Sequence, residues 1–503
     1  MGELGLPAAS NADLPALEAV LAAAAAAHEA LNLQSLFALA IADASDVKRL
    51  KEFAPAFYDI HLSGRSFAER ITDIEEAPKP VKSSSQRKYR PAWEEELAAC
   101  IHARFDNYAE RAPRRLTFSE DEVRALRRLS SLAALQLVAR QSPEGWWPAG
   151  PGDDEGNIST TSRAASALMK VFGKERTDVL VAPSLGWIKA HYDRTCGAFG
   201  RYVSAKEEGR PIKPRLTPTV VDTATALKVI HQAGSIEAPE RIVWRPLLYL
   251  LQNRADDHGW NDTHATSASE ITTTAYVLDA MHFCQPALRW AYKALEPDED
   301  DEVTGAFEKT MHDAKRLLAD RQRNGGWTDT SPSEHPDPFC TAQVLCFAHQ
   351  FLVGEKETLE EALTYLTGRV AASGRGGLPA DDTDEPAVTP TAMMIFGLLR
   401  ATEKGGKWDE WLPRLFAYLR TLNTARDPVD LTPYASTFIL LVGNNEGVQL
   451  YDDDWKDRTL KAMYRLRDAR RSGKSPSECV RAALGSVSTW DSFAPALERA
   501  LED

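Results

Sequence analysis

The feature that most constrains this chain is a block that recurs from about residue 120 to residue 445. Each copy reads as an amphipathic helix, a Gly-aromatic loop with acidic residues, and a second helix opening on small hydroxylated residues. Two copies superimpose directly: His258-Gly259-Trp260 leads to Thr274-Ala275-Tyr276-Val277-Leu278, and Gly325-Gly326-Trp327 leads to Thr341-Ala342-Gln343-Val344-Leu345. In both, fourteen positions separate the Trp from the Thr. A spacing shared by separate segments reports a repeated supersecondary unit. Divergent copies are Gly145-Trp146-Trp147 before Thr160-Thr161-Ser162-Arg163, Phe199-Gly200-Arg201-Tyr202 before Thr223-Ala224-Thr225, and Gly376-Gly377-Leu378 before Thr391-Ala392. A decayed copy ends in Thr432-Pro433-Tyr434. The sum is six helical hairpins.

The second helices are nearly continuous in small and apolar residues, as in Met393-Met394-Ile395-Phe396-Gly397-Leu398-Leu399. A helix apolar on most faces must be buried all round. The first helices keep a charged face, as in Phe307-Glu308-Lys309-Thr310-Met311-His312. Buried helices inside and amphipathic helices outside predict an all-α fold: an α/α toroid of about six hairpins with an extra helical N-terminal region. The Ser and Thr residues at the inner-helix starts are suited to cap orphan N–H groups. Pro218, Pro336, Pro338, Pro390 and Pro433 suit turn-to-helix positions, where an N–H is expendable.

Residues 1–76 read as helices unrelated to the repeat. Residues 77–91, rich in Pro, Ser and basic side chains, form the best linker candidate. This strip reads as an exposed loop or as a docking site for an acidic protein partner. Residues 92–503 are then the toroid, with charged closing helices from Trp455 on. The net charge of −14 and pI near 5.4 argue against nucleic acid, which wants a basic field. No apolar run approaches eighteen residues, so no spanning helix is expected. The Ala-rich stretch at 20–27 lacks a basic flank and reads as helix, not as a signal peptide. Six scattered cysteines without a CxxC pair read as reduced thiols of a cytoplasmic protein.

The arrangement resembles the terpenoid cyclase and protein prenyltransferase superfamily, with its squalene-cyclase-like toroid repeats that join a Gly-Gly-Trp or Gly-x-Trp loop to a helix opening on Ser or Thr. The resemblance spans roughly 350 of the 503 residues. It implies that Trp146, Trp260 and Trp327 staple neighbouring helices. It also implies that the loops before the inner helices converge on one mouth of a central cavity, where helix N-termini favour anions such as diphosphate.

Three site candidates follow. Class II cyclases protonate an alkene with an Asp of an Asp-x-Asp-Asp motif. Asp298-Glu299-Asp300-Asp301 matches the string but lies in an acidic run between helices. Asp381, Asp382 and Asp384 lie in a better place, before the inner helix at Thr391, and are the candidate catalytic acids. The prenyltransferase β-subunit pattern implies zinc, and magnesium is the other metal considered. His335, Asp337 and Cys340 are the nearest ligand types, with His264 or Glu270 from the previous unit; Cys340 also reads as ordinary core. Arg201, Lys206 and Arg210, with Lys213 and Arg215, are the basic cluster for diphosphate, although Glu207 and Glu208 interrupt it. Phosphate-binding Gly loops, HExxH and GxSxG are absent from the sequence. Two functions follow: a terpenoid cyclase or prenyltransferase-like enzyme acting on an isoprenoid or other apolar substrate in a central cavity, or a non-catalytic toroid serving as a binding or scaffold module.

Overall fold

A computed structural model describes residues 116–503, apart from 151–152, 154, 204–205, 208–209, 212–214, 235–238, 263–267, 296–299, 331–334, 353–355, 382, 384, 402–407, 423–428, 486–487 and 503. The chain divides into two units, Met1–Ala112 and Pro113–Asp503. The helices expected over 1–76 and the basic strip at 77–91 lie outside the described residues.

In the second unit, outer and inner helices alternate along the chain. The pairs are α1 (Glu120–Arg140) and α2 (Ile158–Phe172), α3 (Lys174–Ala190) and α4 (Val220–Gln232), and α5 (Pro239–Gln252) and α6 (Ile271–Leu295). They continue with α7 (Asp300–Arg321) and α8 (Pro338–Leu352), α9 (Lys356–Ser373) and α10 (Val388–Ala401), and α11 (Trp411–Thr421) and α12 (Pro433–Gly443). Each even-numbered helix packs on the next, and α12 packs back on both α2 and α1, so the inner ring is closed. Gln136 of α1 helps the closure, its Oε1 accepting from the Leu431 N–H at 3.1 Å. Helices α13 (Asp453–Arg471) and α15 (Ala494–Glu502) lie against α1, with α14 (Pro476–Leu484) between them in the chain. Strands β1 (Tyr192–Asp193), β2 (Ala198–Val203) and β5 (Arg215–Pro218) form a small antiparallel sheet. With the β3–β4 hairpin (Lys206–Glu207, Arg210–Pro211), it replaces the tight loop of the second repeat.

The fourteen-residue spacing has a hydrogen-bonding cause. The Trp327 N–H donates to Thr341 Oγ1 at 3.0 Å, and that hydroxyl donates to the Asp337 carbonyl at 2.8 Å. The Trp327 indole N–H meanwhile donates to the Leu318 carbonyl at 2.7 Å, in the last turn of α7. That carbonyl has no partner within its own helix, so the indole satisfies an orphan acceptor. Trp260 repeats the set with Thr274 and Leu250, and so does the first repeat with Thr161 and Leu137. In that first repeat the staple is Trp147, fully buried, and not Trp146, which is half-buried. Sequence alone does not decide between the adjacent tryptophans, because Thr160 and Thr161 each stand fourteen residues after one of them; the Trp147–Thr161 bond does.

Thr432 is the cap expected of it, but the threonines bonded to a staple Trp, Thr161, Thr274 and Thr341, are not caps. Side chains of Asn157, Thr219, Asp337 and Thr432 take that role, accepting from the N–H three residues on. Pro338 and Pro433 open their helices and Pro390 lies in the first turn of α10, whereas Pro218 ends a strand. The glycines before Trp327 are required by space and backbone. Gly325 has φ +82°, and a Cβ on Gly326 would sit 2.6 Å from Pro336 Cβ. Because Thr274 is buried and its hydroxyl is the acceptor for Trp260, we expect Thr274→Val to cost about 1–3 kcal/mol through an unsatisfied buried N–H. Denaturant unfolding tests this, and an unchanged midpoint would contradict it.

Candidate functional site

Two layers of side chains face the ring axis, one turn apart. Arg163, Thr225, Tyr276, Gln343 and Phe438 stand two positions after Thr161, Thr223, Thr274, Thr341 and Ser436, and all line axial space. Three positions further along their helices, Ser166, Lys228, Asp279 and Leu441 do the same, joined by Phe396 of α10. The first layer separates a vestibule of about 500 Å³, at the inner-helix N-termini, from an inner chamber of about 60 Å³. Arg163 and Tyr276 line both.

Arg163 is the central group. Its guanidinium lies 4.2 Å from the Tyr276 ring centroid, 5.0 Å from that of Tyr434 and 5.6 Å from that of Phe347. The two phenol oxygens are 3.1 Å apart, and Gln343 Nε2 donates to Tyr276 Oη at 2.7 Å, which fixes the cage. Burial, followed by the neighbouring Tyr434, pushes the Tyr276 phenol far upward, so it stays protonated. Among the described residues, Arg163 Nη2 has no hydrogen-bond partner, nor do the buried hydroxyls of Ser162, on the chamber, and Ser159, on the vestibule. Buried donors left in this way cost free energy unless a bound molecule meets them.

Among the described residues lining these two spaces, Asp279 is the one carboxylate. Burial acts to raise its pKa, but Lys228, its ion-pair partner, and then Arg400 outweigh burial and hold it below the usual range. Asp222 lies fully buried behind the vestibule wall, with one oxygen 3.0 Å from Arg201 Nε and the other unpartnered. Burial outweighs Arg201 there and shifts the carboxyl upward.

Of the residues singled out from sequence, Arg201 lines the vestibule, whereas Asp381, His335, Asp337 and Cys340 line neither space. Asp381 is exposed, and its Oδ1 accepts from the Thr383 N–H and hydroxyl, which lower its pKa. That is the wrong direction for an acid that must keep its proton, and Asp381 lines neither of these two spaces. Asp382 and Asp384 lie outside the described residues, as do Asp298, Glu299 and His264. Asp300 and Asp301 open outer helix α7, away from an inner-helix start.

His335 and Asp337 are exposed, Asp337 capping α8 through the Cys340 N–H, whereas Cys340 is buried and its thiol is pushed well up by burial. They do not assemble: among the described residues no group of three His, Cys, Asp or Glu could hold a metal. Glu270 Oε2 accepts from Asp262 N–H and the Thr273 hydroxyl. Arg201 reaches the vestibule, but as the partner of Asp222. Lys206 and Arg210 belong to the β3–β4 hairpin, and their side chains lie outside the described set, as do Lys213 and the side chain of Arg215.

The acidic Gly-Trp loops have a structural task as well. Asp262 and Asp329, each two residues after a staple Trp, accept from the first-turn N–H groups of the preceding inner helices at Val221 and Thr272.

Three histidines with lowered pKa values, of which His349 is buried, give this region a pH signature. His349 is pushed down to about 3, first by burial and then by Arg400; burial also lowers His231 and His282. All three are held neutral in the fold and gain a proton on unfolding below their usual range. Their contribution is fully present above pH about 6.5 and is lost as pH falls toward the folded values. We expect stability to fall between about pH 6.5 and 3, with His349→Gln flattening the profile. Melting temperature against pH, unchanged in shape by that variant, would contradict the assignment.

Among solved structures, the chain is similar to a type II terpene cyclase from Scytonema in complex with geranylgeranyl dihydroxybenzoate. The identity is 14% over 66% of this chain and 99% of that one, with a TM-score of 0.45. The Scytonema cyclase with bound merosterolic acid A gives 12% over 66% and 100%, at 0.46. A glycosidase in complex with glucose gives 12% over 67% and 100%, at 0.45. No family model and no curated protein matches the chain. The fold is an α/α toroid, and a fold does not carry function by itself, so function has to be read from this chain's own residues.

Proposed function

We propose that this toroid binds a small amphipathic anion in the vestibule, its acidic head meeting Arg163 and its apolar part lying along Phe339, Val221 and Pro390. The observation that carries this reading is the aromatic-caged guanidinium on the ring axis, with an unsatisfied Nη2 and no carboxylate partner among the described residues. An arginine offers directed N–H donors to a carboxylate or phosphate head, and such charge-assisted bonds are strong in a desolvated site. The same guanidinium works against cyclase chemistry, since a fixed positive charge repels the carbocation that alkene protonation creates. The favoured function is therefore the binding module, with an isoprenoid diphosphate or a fatty carboxylate as the ligand class.

Calorimetric titration of the full chain with farnesyl diphosphate, palmitate and neutral farnesol tests this. We expect the two anions to bind at least tenfold more tightly than farnesol, and Arg163→Met to remove that preference. The variant should be at least as stable as the parent. It loses about 2 kcal/mol of cation–π attraction, but a buried charge no longer bears a desolvation cost of several kcal/mol. Equal binding of farnesol, or undiminished binding by Arg163→Met, would sink the reading.

A second reading, an isoprenoid cyclase, is favoured by Asp222, a buried carboxyl shifted upward beside the vestibule. It requires a ligand to draw Arg201 away so that Asp222 faces the cavity. Product analysis by chromatography, with Asp222→Asn as control, decides: turnover abolished by that variant establishes the enzyme, and unaltered substrate removes it.

A further inference from the structure

The inner chamber carries a charge pattern that the vestibule reading does not use. Lys228 of α4, Arg400 of α10 and Arg163 of α2 converge on it, with Lys170 of α2 at its rim. Asp279, the one carboxylate among the described lining residues, pairs with Lys228 and also attracts Arg400 and Lys170, so one negative charge faces four positive ones. Arg400 has its guanidinium 5.2 Å from the Phe396 ring and no carboxylate partner among the described residues. Cations near helix C-termini are ordinarily explained by the helix dipole. That effect is satisfied by any side of the last turn, however, and does not require Lys170 and Arg400 to line one axial chamber. The remaining walls, Phe347, Phe396 and Phe438, supply no counter-charge. The Ser162 hydroxyl, almost fully buried, lines the chamber without a partner. An excess of positive charge gathered around one chamber favours a bound anion.

We propose that this chamber is a second anion site, built for a compact oxyanion of the phosphate class that enters from the C-terminal ends of the inner helices. Size supports the class. A volume of about 60 Å³ holds on the order of four or five water-sized spheres, which suits a phosphate head and excludes an organic ring. Lys170 and Arg400 are exposed, so the chamber opens toward that end of the ring, and an ester substituent would extend outward there. Arg400 and Lys228 supply charged donors from two helices, and the Ser162 hydroxyl a neutral one. The site is separate from the vestibule: the Arg163, Tyr276 and Gln343 layer stands between them.

The test is phosphorus NMR and calorimetric titration of the full chain with inorganic phosphate and, separately, phenyl phosphate, at low chloride. We expect saturable binding of one phosphate per chain, weakened at least tenfold by Arg400→Gln and also by Lys170→Gln. Both residues are exposed, so both variants should fold, and circular dichroism verifies it. Arg201→Gln should leave phosphate binding unchanged, and Arg400→Gln should leave binding of farnesyl diphosphate in the vestibule intact. The two sites therefore fail independently. Phenyl phosphate binding as well as phosphate identifies esters as the ligand; phosphate alone identifies the free ion. Absence of saturable phosphate binding, or binding indifferent to Arg400→Gln and Lys170→Gln, overturns the proposal.

Discussion

Replacing Trp327 by Ala is expected to cost about 3–5 kcal/mol, the range for truncating a fully buried aromatic. Trp260 should behave in the same way, because both rings are completely enclosed and both make the same pair of bonds. The loss has two parts. Truncation leaves a cavity between outer and inner helix, and it strands the Leu318 carbonyl at the end of α7. Trp327→Phe separates them, since it keeps most of the ring while removing the indole N–H, and should cost about 1 kcal/mol. Trp146→Ala is the contrast, a half-buried ring outside the repeated bonding pattern, and should cost clearly less than Trp147→Ala. Urea unfolding reads all of these. Parent-like midpoints for Trp327→Ala and Trp260→Ala would remove the staple as the source of the repeat's stability.

Asp279→Ala is the second large effect. The carboxylate is buried beside Lys228, and removing it leaves Lys228, Arg163 and Arg400 around one chamber without a counter-charge. Breaking a buried pair from one side typically costs about 3–5 kcal/mol, whereas replacing both partners by apolar groups is often neutral. The double variant Asp279→Leu with Lys228→Met should therefore recover most of what Asp279→Ala loses. Additive losses in the double variant, measured by denaturant unfolding, would show that the pair does not act as a unit.

The ring was legible in the sequence because its glycines, staple tryptophans and threonines recur at fixed spacing, and because apolar and amphipathic helices alternate. The reason for the spacing was not legible. A threonine near a helix start reads as a cap, yet Thr341 is bonded to the tryptophan fourteen residues earlier, and Asp337 does the capping. The axial site was legible only in hindsight. Arg163, Tyr276 and Gln343 occupy one offset from the repeat threonine, but their convergence needs the closure of α12 onto α2, a long-range contact with no local signature. Attention to acids in loops led instead to Asp381, whose exposed carboxylate closes its own turn. The comparable acids Asp262 and Asp329 brace neighbouring helices. Charged residues inside otherwise apolar inner helices, Arg163, Lys228 and Asp279, were the stronger signal.

The vestibule is proposed to receive an anionic head at Arg163. A crystal structure of the full chain with farnesyl diphosphate tests it most directly. We expect a phosphoryl oxygen about 3 Å from an Arg163 nitrogen, with the prenyl chain in the vestibule beside Phe339 and the Tyr276–Tyr434 cage retained. A ligand bound away from the ring axis, or one whose head leaves the Arg163 guanidinium uncontacted, would contradict it.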